Sequence, residues 1–436
     1  MPAADIASFG GRLLIVAPHP DDETLGCAGL IQQARASGAE VFVVLMTNGD
    51  GYQYERTLML AEDVVHGAAR EHLALGARRR NESLRALNAL GVPADHVISL
   101  GYPDGGVHAM WQPPHWSPAQ PYRSPHSGKD HNPYPTSFSP GAPYCGAQVV
   151  RDLLRVIEGT PPTAIFTTAP FDVHRDHWAT YGFVRLAAAW MERRNGTDIP
   201  VYGFLIHRHD WPAPQGYHPE GLLEPPAAWL RIPGVDWSRV DLTAEQVRVK
   251  DRCLSRYRSQ HAGQSAELLA FVRRNELFSQ LETAAPTEGE VHITDPAGDL
   301  PPDRLLPEED IAELELKRDR QGSTASLLLA ARPSHELRYC VIWHSVGKDR
   351  PSACTVVWDR AGARLLQASA DGAFTTAPVE VKLVDHSLTW RLPPDAMTGT
   401  QGLFEAYSQR GTRYLNHTCT LVADLASVGD RAAPPR

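Results

Sequence analysis

The chain has six cysteines (Cys27, Cys145, Cys253, Cys340, Cys354 and Cys419) and no CxxC pair among them. Scattered in this way they read as buried free thiols in a reducing compartment, with structural disulfides as the alternative. No run approaches the roughly 18–20 apolar residues of a membrane helix. The first apolar stretch, Leu13 to Ala17, is too short for a signal-peptide core, so a cytoplasmic protein with no membrane span is expected. A basic excess is also missing: Lys and Arg total 42 against 51 Asp and Glu, a net charge of -9. A general nucleic-acid surface needs the opposite balance, so no nucleic-acid partner is expected. The first strand is not followed by G-x-G-x-x-G, and no G-x-S-x-G elbow occurs, which argues against a dinucleotide fold and a serine hydrolase.

What is present is a soluble globular composition, 42% hydrophobic and 21% charged over 436 residues, a length suited to two or three domains. Residues 1–282 alternate apolar runs with helical stretches. Arg12–Pro18, Glu40–Thr47, Val97–Leu100, Ala164–Thr168 and Val201–Ile206 read as strands. Thr24–Ser37, Thr57–Leu90, Val149–Glu158 and Trp178–Arg194 read as helices. This alternation predicts a mostly parallel, Rossmann-like α/β sheet with helices on both faces. Residues 283–310 are acidic and proline-rich and read as a linker. Beyond them, residues 311–436 break into short alternating runs with turn residues between them, the pattern of an all-β, sandwich-like domain.

Two clusters carry the chemistry. Pro18-His19-Pro20-Asp21-Asp22-Glu23 follows the first strand directly, where an open parallel sheet binds its ligands. Ala169-Pro170-Phe171-Asp172-Val173-His174-Arg175-Asp176-His177 follows the fourth. Acidic residues also suit a helix start, so the first cluster alone has a structural explanation. Two such clusters at matched strand ends do not. If the topology joins them, His19, Asp22 and His177 offer two imidazoles and a carboxylate with a coordination position left open, the donor set of a catalytic Zn²⁺. Iron(II) suits the same donors.

PHPDDE and HRDH together resemble the PIG-L/LmbE-like family of zinc-dependent N-acetylglucosaminyl deacetylases. Weaker support comes from Thr47-Asn48-Gly49-Asp50-Gly51, Arg79 to Glu82, Leu100 to Gly105 and Tyr257-Arg258-Ser259-Gln260. The resemblance covers roughly residues 10–280. It implies that His19, Asp22 and His177 bind the metal, that Asp21 is the general base, and that His174 stabilises the reacting carbonyl. It further implies that Asp176 orients an imidazole, and that Arg79 and Asp104 contact substrate hydroxyls. The expected reaction removes an N-acetyl or N-acyl group from a small-molecule N-acetylglucosaminyl conjugate. An amidase acting on a thiol conjugate or a glycopeptide amide shares the site, and a non-catalytic sugar-binding protein is the alternative from another class.

Residues 107–144 are rich in proline, tryptophan, tyrosine and histidine without periodicity, which suggests a substrate lid. There Arg123 is a candidate for an anionic substrate group. In the C-terminal region, Trp343, Trp358, Trp390 and Tyr407 leave a carbohydrate-binding face open as a reading, beside a structural role or a homo-oligomer contact.

Overall fold

A computed structural model describes the chain except residues 5, 53–67, 209–210, 233, 284–289, 296–305, 320–321, 347–351, 370, 373, 394–400, 419–420 and 425–436. Part of the expected Thr57–Leu90 helix, most of the expected linker, and Cys419 fall in that remainder.

The N-terminal sheet has seven strands: β1 (Arg12–Ala17), β2 (Glu40–Thr47), β3 (Val97–Tyr102), β4 (Ala164–Thr168), β5 (Val201–Phe204), β6 (Val235–Asp241) and β7 (Asn275–Leu281). Their order is β3-β2-β1-β4-β5-β7-β6. The first five are parallel, while β7 runs antiparallel to both β5 and β6. Sequence reading missed β6 as a strand; Asp236, Ser238, Arg239 and Asp241 interrupt its apolar pattern because the strand lies at the sheet edge.

The helices are α1 (Asp22–Ala36), α2 (Ala68–Ala89), α3 (Val107–Trp111), α4 (Gly146–Gly159), α5 (Arg175–Asn195), α6 (Ala244–Leu254) and α7 (Arg258–Leu269). Alternation along β1 explains how both faces are covered. Leu13, Ile15 and Ala17 join the core under α1, with Leu25, Leu30 and Ile31. Leu14 and Val16 join the opposite core under α4 and α5, with Leu153, Val156 and Val184. Among the described residues no helix is long and apolar enough to cross a membrane.

The C-terminal region forms two antiparallel sheets. One has the order β15 (Glu380–Val384), β16 (Ser387–Leu392), β10 (Gly322–Leu329), β9 (Ile311–Asp319), β8 (Glu290–Thr294). The other runs β14 (Thr375–Pro378), β13 (Gly362–Ala368), β12 (Ser352–Asp359), β11 (Arg338–Val346), β17 (Gln401–Arg410), β18 (Arg413–His417), with β19 (Leu421–Asp424) also on β17. Strand β8 lies inside the stretch expected to be a linker. Its Val291 and Ile293 alternate inward as an edge strand, a signal diluted in sequence by the acidic residues around it.

The side chains of β11 explain how this region attaches to the first. Tyr339, Val341 and Trp343 face the inter-sheet core, whereas Cys340, Ile342 and Val346 belong to the α4–α5 core of the N-terminal sheet. A strand buried on both faces joins the two regions through continuous apolar packing. Trp343, Trp358 and Trp390 lie in the inter-sheet core and Tyr407 in the shared core, all at most 5% exposed. The aromatics that suggested a carbohydrate face are therefore packing residues, since a stacking platform needs open ring surface.

Candidate metal centre and catalytic cleft

The strand order reverses at β1 and β4, and both clusters sit just beyond the carboxyl ends of those two strands, where open α/β sheets bind ligands. His19 to Asp22 form the β1–α1 turn, and His174 caps α5, its Nδ1 accepting from the Asp176 backbone N–H at 3.2 Å.

Three side chains converge. His19 Nδ1 lies 3.2 Å from Asp22 Oδ2, His177 Nε2 lies 3.2 Å from that same oxygen, and the two ring nitrogens are 3.2 Å apart. Metal–nitrogen bonds of ~2.0–2.1 Å at tetrahedral angles place neighbouring donors ~3.3 Å apart. The triangle is therefore the right size for one ion, and its donors are the borderline nitrogen and hard oxygen that zinc or iron(II) accepts. All three residues are buried. Burial opposes charge on Asp22, but His177 and His19 hold its carboxyl well below the usual range. For His177 burial opposes charge as well, yet Asp172 and Asp22 push it up to about 9.

Two neighbours of this centre went unread in the sequence. Asp172 Oδ2 contacts His177 Nδ1 at 3.1 Å and accepts from the backbone amides of Ile206 and His207, while Oδ1 accepts from the His174 amide. It therefore fixes the far nitrogen of His177. Asp176, expected to orient an imidazole, accepts from the Gly105 and Val107 amides at 2.7 and 3.1 Å, tying the turn after β3 to α5, and lies 3.5 Å from His19 Nε2, the ring nitrogen of His19 outside the triangle. His207, just past β5, adds a further imidazole; with Asp22 and His177 it makes a second donor group that could hold a metal ion. A third strand end delivering a histidine was the signal available for it.

Asp21 lines the cleft with a backbone φ of +128°, a strained position for a residue with a side chain. Its amide donates to Glu23 Oε2 at 2.9 Å; Glu23 in turn accepts from Ser83 Oγ and Tyr257 OH. Burial pushes the Asp21 carboxyl up to about 8, opposed by Arg79 and reinforced by Asp22 and Glu23. Arg79 reaches Asp21 Oδ2 at 3.5 Å and donates to the carbonyls of Gly49 and Pro20. The weaker motifs are thus accounted for: Tyr257 holds Glu23, and Ser259 donates to Glu82 through both its amide and its hydroxyl.

Arg79 and Asp104 both line the cleft, but each is engaged within the protein. Asp104 Oδ2 accepts from the Gly51 amide, and its Oδ1 lies 3.1 Å from His19 Nε2, close enough for ion pairing without hydrogen-bond alignment. Arg123 is exposed and stands outside the cleft, within electrostatic reach of Asp130. Among the described residues, none of 107–144 lines the cleft. Trp111 and Trp116 turn inward instead; Trp111 Nε1 donates to Glu405 Oε1 at 3.0 Å and its ring lies 3.6 Å from that of His344. The first part of the segment expected as a lid, Trp111 to Trp116, wedges between the two regions, while Asn132, Tyr134 and Tyr144 bind Leu100, Asp50 and Gly101 at the end of the N-terminal sheet.

The cleft measures about 840 Å³. One wall carries His19, Asp21, Asp22, Arg79, Asp104 and His174, and the rest includes Ile206, Arg208, Trp211, Leu268 and Phe271.

A doubly covered α/β sheet carries at its switch point a histidine–carboxylate cluster that could hold a metal ion, beside a cleft. Residues 14–188 match the family described as PIG-L, GlcNAc-PI de-N-acetylase. A curated relative from Nocardioides sp., 1D-myo-inositol 2-acetamido-2-deoxy-alpha-D-glucopyranoside deacetylase, is 37% identical over 103 residues, 23% of this chain and 32% of that protein. Its namesake from Nocardia farcinica is 29% identical over 238 residues, 52% of this chain and 69% of the relative. The chain thus spans about a third of the first relative's length. Among solved structures, N,N'-diacetylchitobiose deacetylase from Pyrococcus horikoshii aligns with a TM-score of 0.36 and 18% identity, covering 59% of this chain and 74% of that one.

Proposed function

We propose that the protein is a zinc-dependent deacetylase that removes an N-acetyl group from a small-molecule N-acetylglucosaminyl conjugate. The observation that carries this reading is the 3.2 Å triangle of His19, Asp22 and His177 in a cleft also lined by Asp21, whose carboxylate is not needed for the triangle itself. The relatives' names supply the substrate class, an acetylated amino sugar linked to a second group.

When bound, the ion supplies a Lewis acid and lowers the pKa of water toward neutrality. The chain's own residues do the rest. Asp21 accepts a proton from water as its oxygen attacks the acetyl carbon. Because His174 Nδ1 accepts from the Asp176 amide, its proton resides on Nε2, and burial with His19, His177 and His207 keeps the ring neutral by holding its pKa well below the usual value. His174 is therefore a neutral donor to the developing oxyanion. Asp21 then delivers its proton to the nitrogen as the C–N bond breaks, leaving acetate and a free amine. Asp172 holds His177 in one tautomer throughout. Asp104 and Arg79 border the sugar's position, and the apolar wall of Trp211, Leu268 and Phe271 faces the linked group.

Amine release from N-acetylglucosaminyl compounds, free, inositol-linked, malate-linked, thiol-conjugated and aryl-linked, tests the reading on zinc-loaded protein beside Asp21→Asn. Release from at least one conjugate, lost in the variant at equal metal content, is expected. Silence across the panel with metal bound rejects it. Metal analysis of the protein as purified decides between zinc and iron(II).

A further inference from the structure

We infer that the C-terminal β domain positions His174 and His177, and that His417 on β18 is the residue through which it does so. The turn carrying His174 and His177 runs from Pro170 to Trp178. His417 touches both of its ends: its Nε2 donates to the Pro170 carbonyl at 3.1 Å, and its ring lies 4.2 Å from that of Trp178. Between those ends, the Arg175 guanidinium sits 4.9 Å over the ring of Tyr414, also on β18. Trp178 is stacked on its other side by His108 at 4.4 Å, and His108 meets Tyr407 and Tyr414 edge-on. Gln112 completes the seam, donating to the Tyr414 hydroxyl and accepting from that of Tyr407.

The physical case rests on what else holds this turn. Asp172 and Thr168 fix it from within the N-terminal domain, Thr168 Oγ1 donating to the His177 carbonyl at 2.8 Å. Its outer side is covered by β18. Donor atoms that must meet an ion within a few tenths of an ångström need neighbours that do not yield, and outer partners of metal ligands typically tune affinity 10–100-fold. Continuous apolar packing between α5 and β11 makes the β domain a fixed wall for this purpose. The domain that names no ligand of its own is thus part of the site's framework.

This inference rests on the metal-site reading, so its test reads the metal directly. Zinc(II) affinity by chelator competition and the visible absorption of cobalt(II)-loaded protein are measured for His417→Ala, His417→Gln and Trp111→Phe. His417→Ala is expected to weaken zinc binding about tenfold and shift the cobalt bands. His417→Gln, whose amide still donates to Pro170, is expected to recover most of both. Trp111→Phe loosens the same interface through the Glu405 contact without touching the turn, and is expected to lower thermal stability while leaving affinity and spectrum unchanged. Wild-type affinity and spectrum in His417→Ala overturn the inference, as does an equal loss in Trp111→Phe. No recovery in His417→Gln overturns the hydrogen bond as the means. Because none of these readings needs substrate, a failure of the deacetylase assignment remains separately visible.

Discussion

Asp172 and His177 are bound as a unit. One carboxylate oxygen faces His177 Nδ1 at 3.1 Å and also receives the amides of Ile206 and His207. The pair links the ends of β4 and β5 to the metal centre and leaves Nε2 of His177 free for the triangle. Both carboxylate oxygens of Asp172 accept, Oδ1 from the His174 amide and Oδ2 from those of Ile206 and His207, so Asp172→Asn places an amide N–H against a donor whichever way it is turned. The variant is expected to bind zinc 10–100-fold more weakly, with kcat reduced at saturating metal. Isothermal titration of the apo protein measures the first, and steady-state kinetics the second. Unchanged affinity would mean that the backbone alone aims His177.

Metal removal gives a second expectation. With the ion stripped by dipicolinate, amine release is expected to vanish and to return on adding zinc. A bound ion at 100 times its dissociation constant stabilises the native state by about 2.7 kcal/mol. Apo protein is therefore expected to melt about 3 °C below the loaded form. Scanning calorimetry of both forms checks this, and coincident melting curves would argue against a site that is intact only in the native fold.

The pH profile follows from Asp21 and Arg79. Burial raises the Asp21 pKa to about 8 while the Arg79 guanidinium 3.5 Å away lowers it. A general base works when ionised, so kcat/KM falls as pH drops through that pKa. Arg79→Gln removes the opposing charge and is expected to move the acid limb to higher pH by about one unit. Arg79→Lys keeps the charge and is expected to leave the limb near the wild-type position. If Arg79→Gln loses activity equally at all pH values, the guanidinium serves binding and not the base.

How much of this was legible depends on whether a residue's neighbours are close in sequence. Strands β2 and β4 can be read to the residue because their apolar runs end abruptly at turn chemistry, and the motifs at β1 and β4 name their own chemistry. His207 was overlooked although His209 and Asp210 follow it in sequence, because its significance arises only when β5 lies beside β4. The role of Asp172 is likewise visible only in the fold, since the amides of Ile206 and His207 that fix it come from the end of β5. Trp111 and Trp116 could not be assigned to a wedge because the surface they fill, around His344 and Glu405, is supplied more than 200 residues later.

Gly49 offers a last test, of the support beneath the base. It sits at φ +69°, and a Cβ there would lie 2.3 Å from Arg79 Nη1 and 2.5 Å from the guanidinium carbon. Gly49→Ala thus combines a strained backbone with a clash that only displacement of Arg79 relieves. That displacement would break the hydrogen bonds to the Gly49 and Pro20 carbonyls, the second of which steadies the turn immediately before Asp21. The expected outcome is a stability loss of about 1–3 kcal/mol together with a fall in kcat, while the His19–Asp22–His177 triangle, anchored through β1 and β4, keeps its zinc affinity. Denaturant unfolding, kinetics and chelator competition on one preparation separate the three. Loss of zinc affinity in step with kcat would show that Arg79 supports the metal ligands as well as the base.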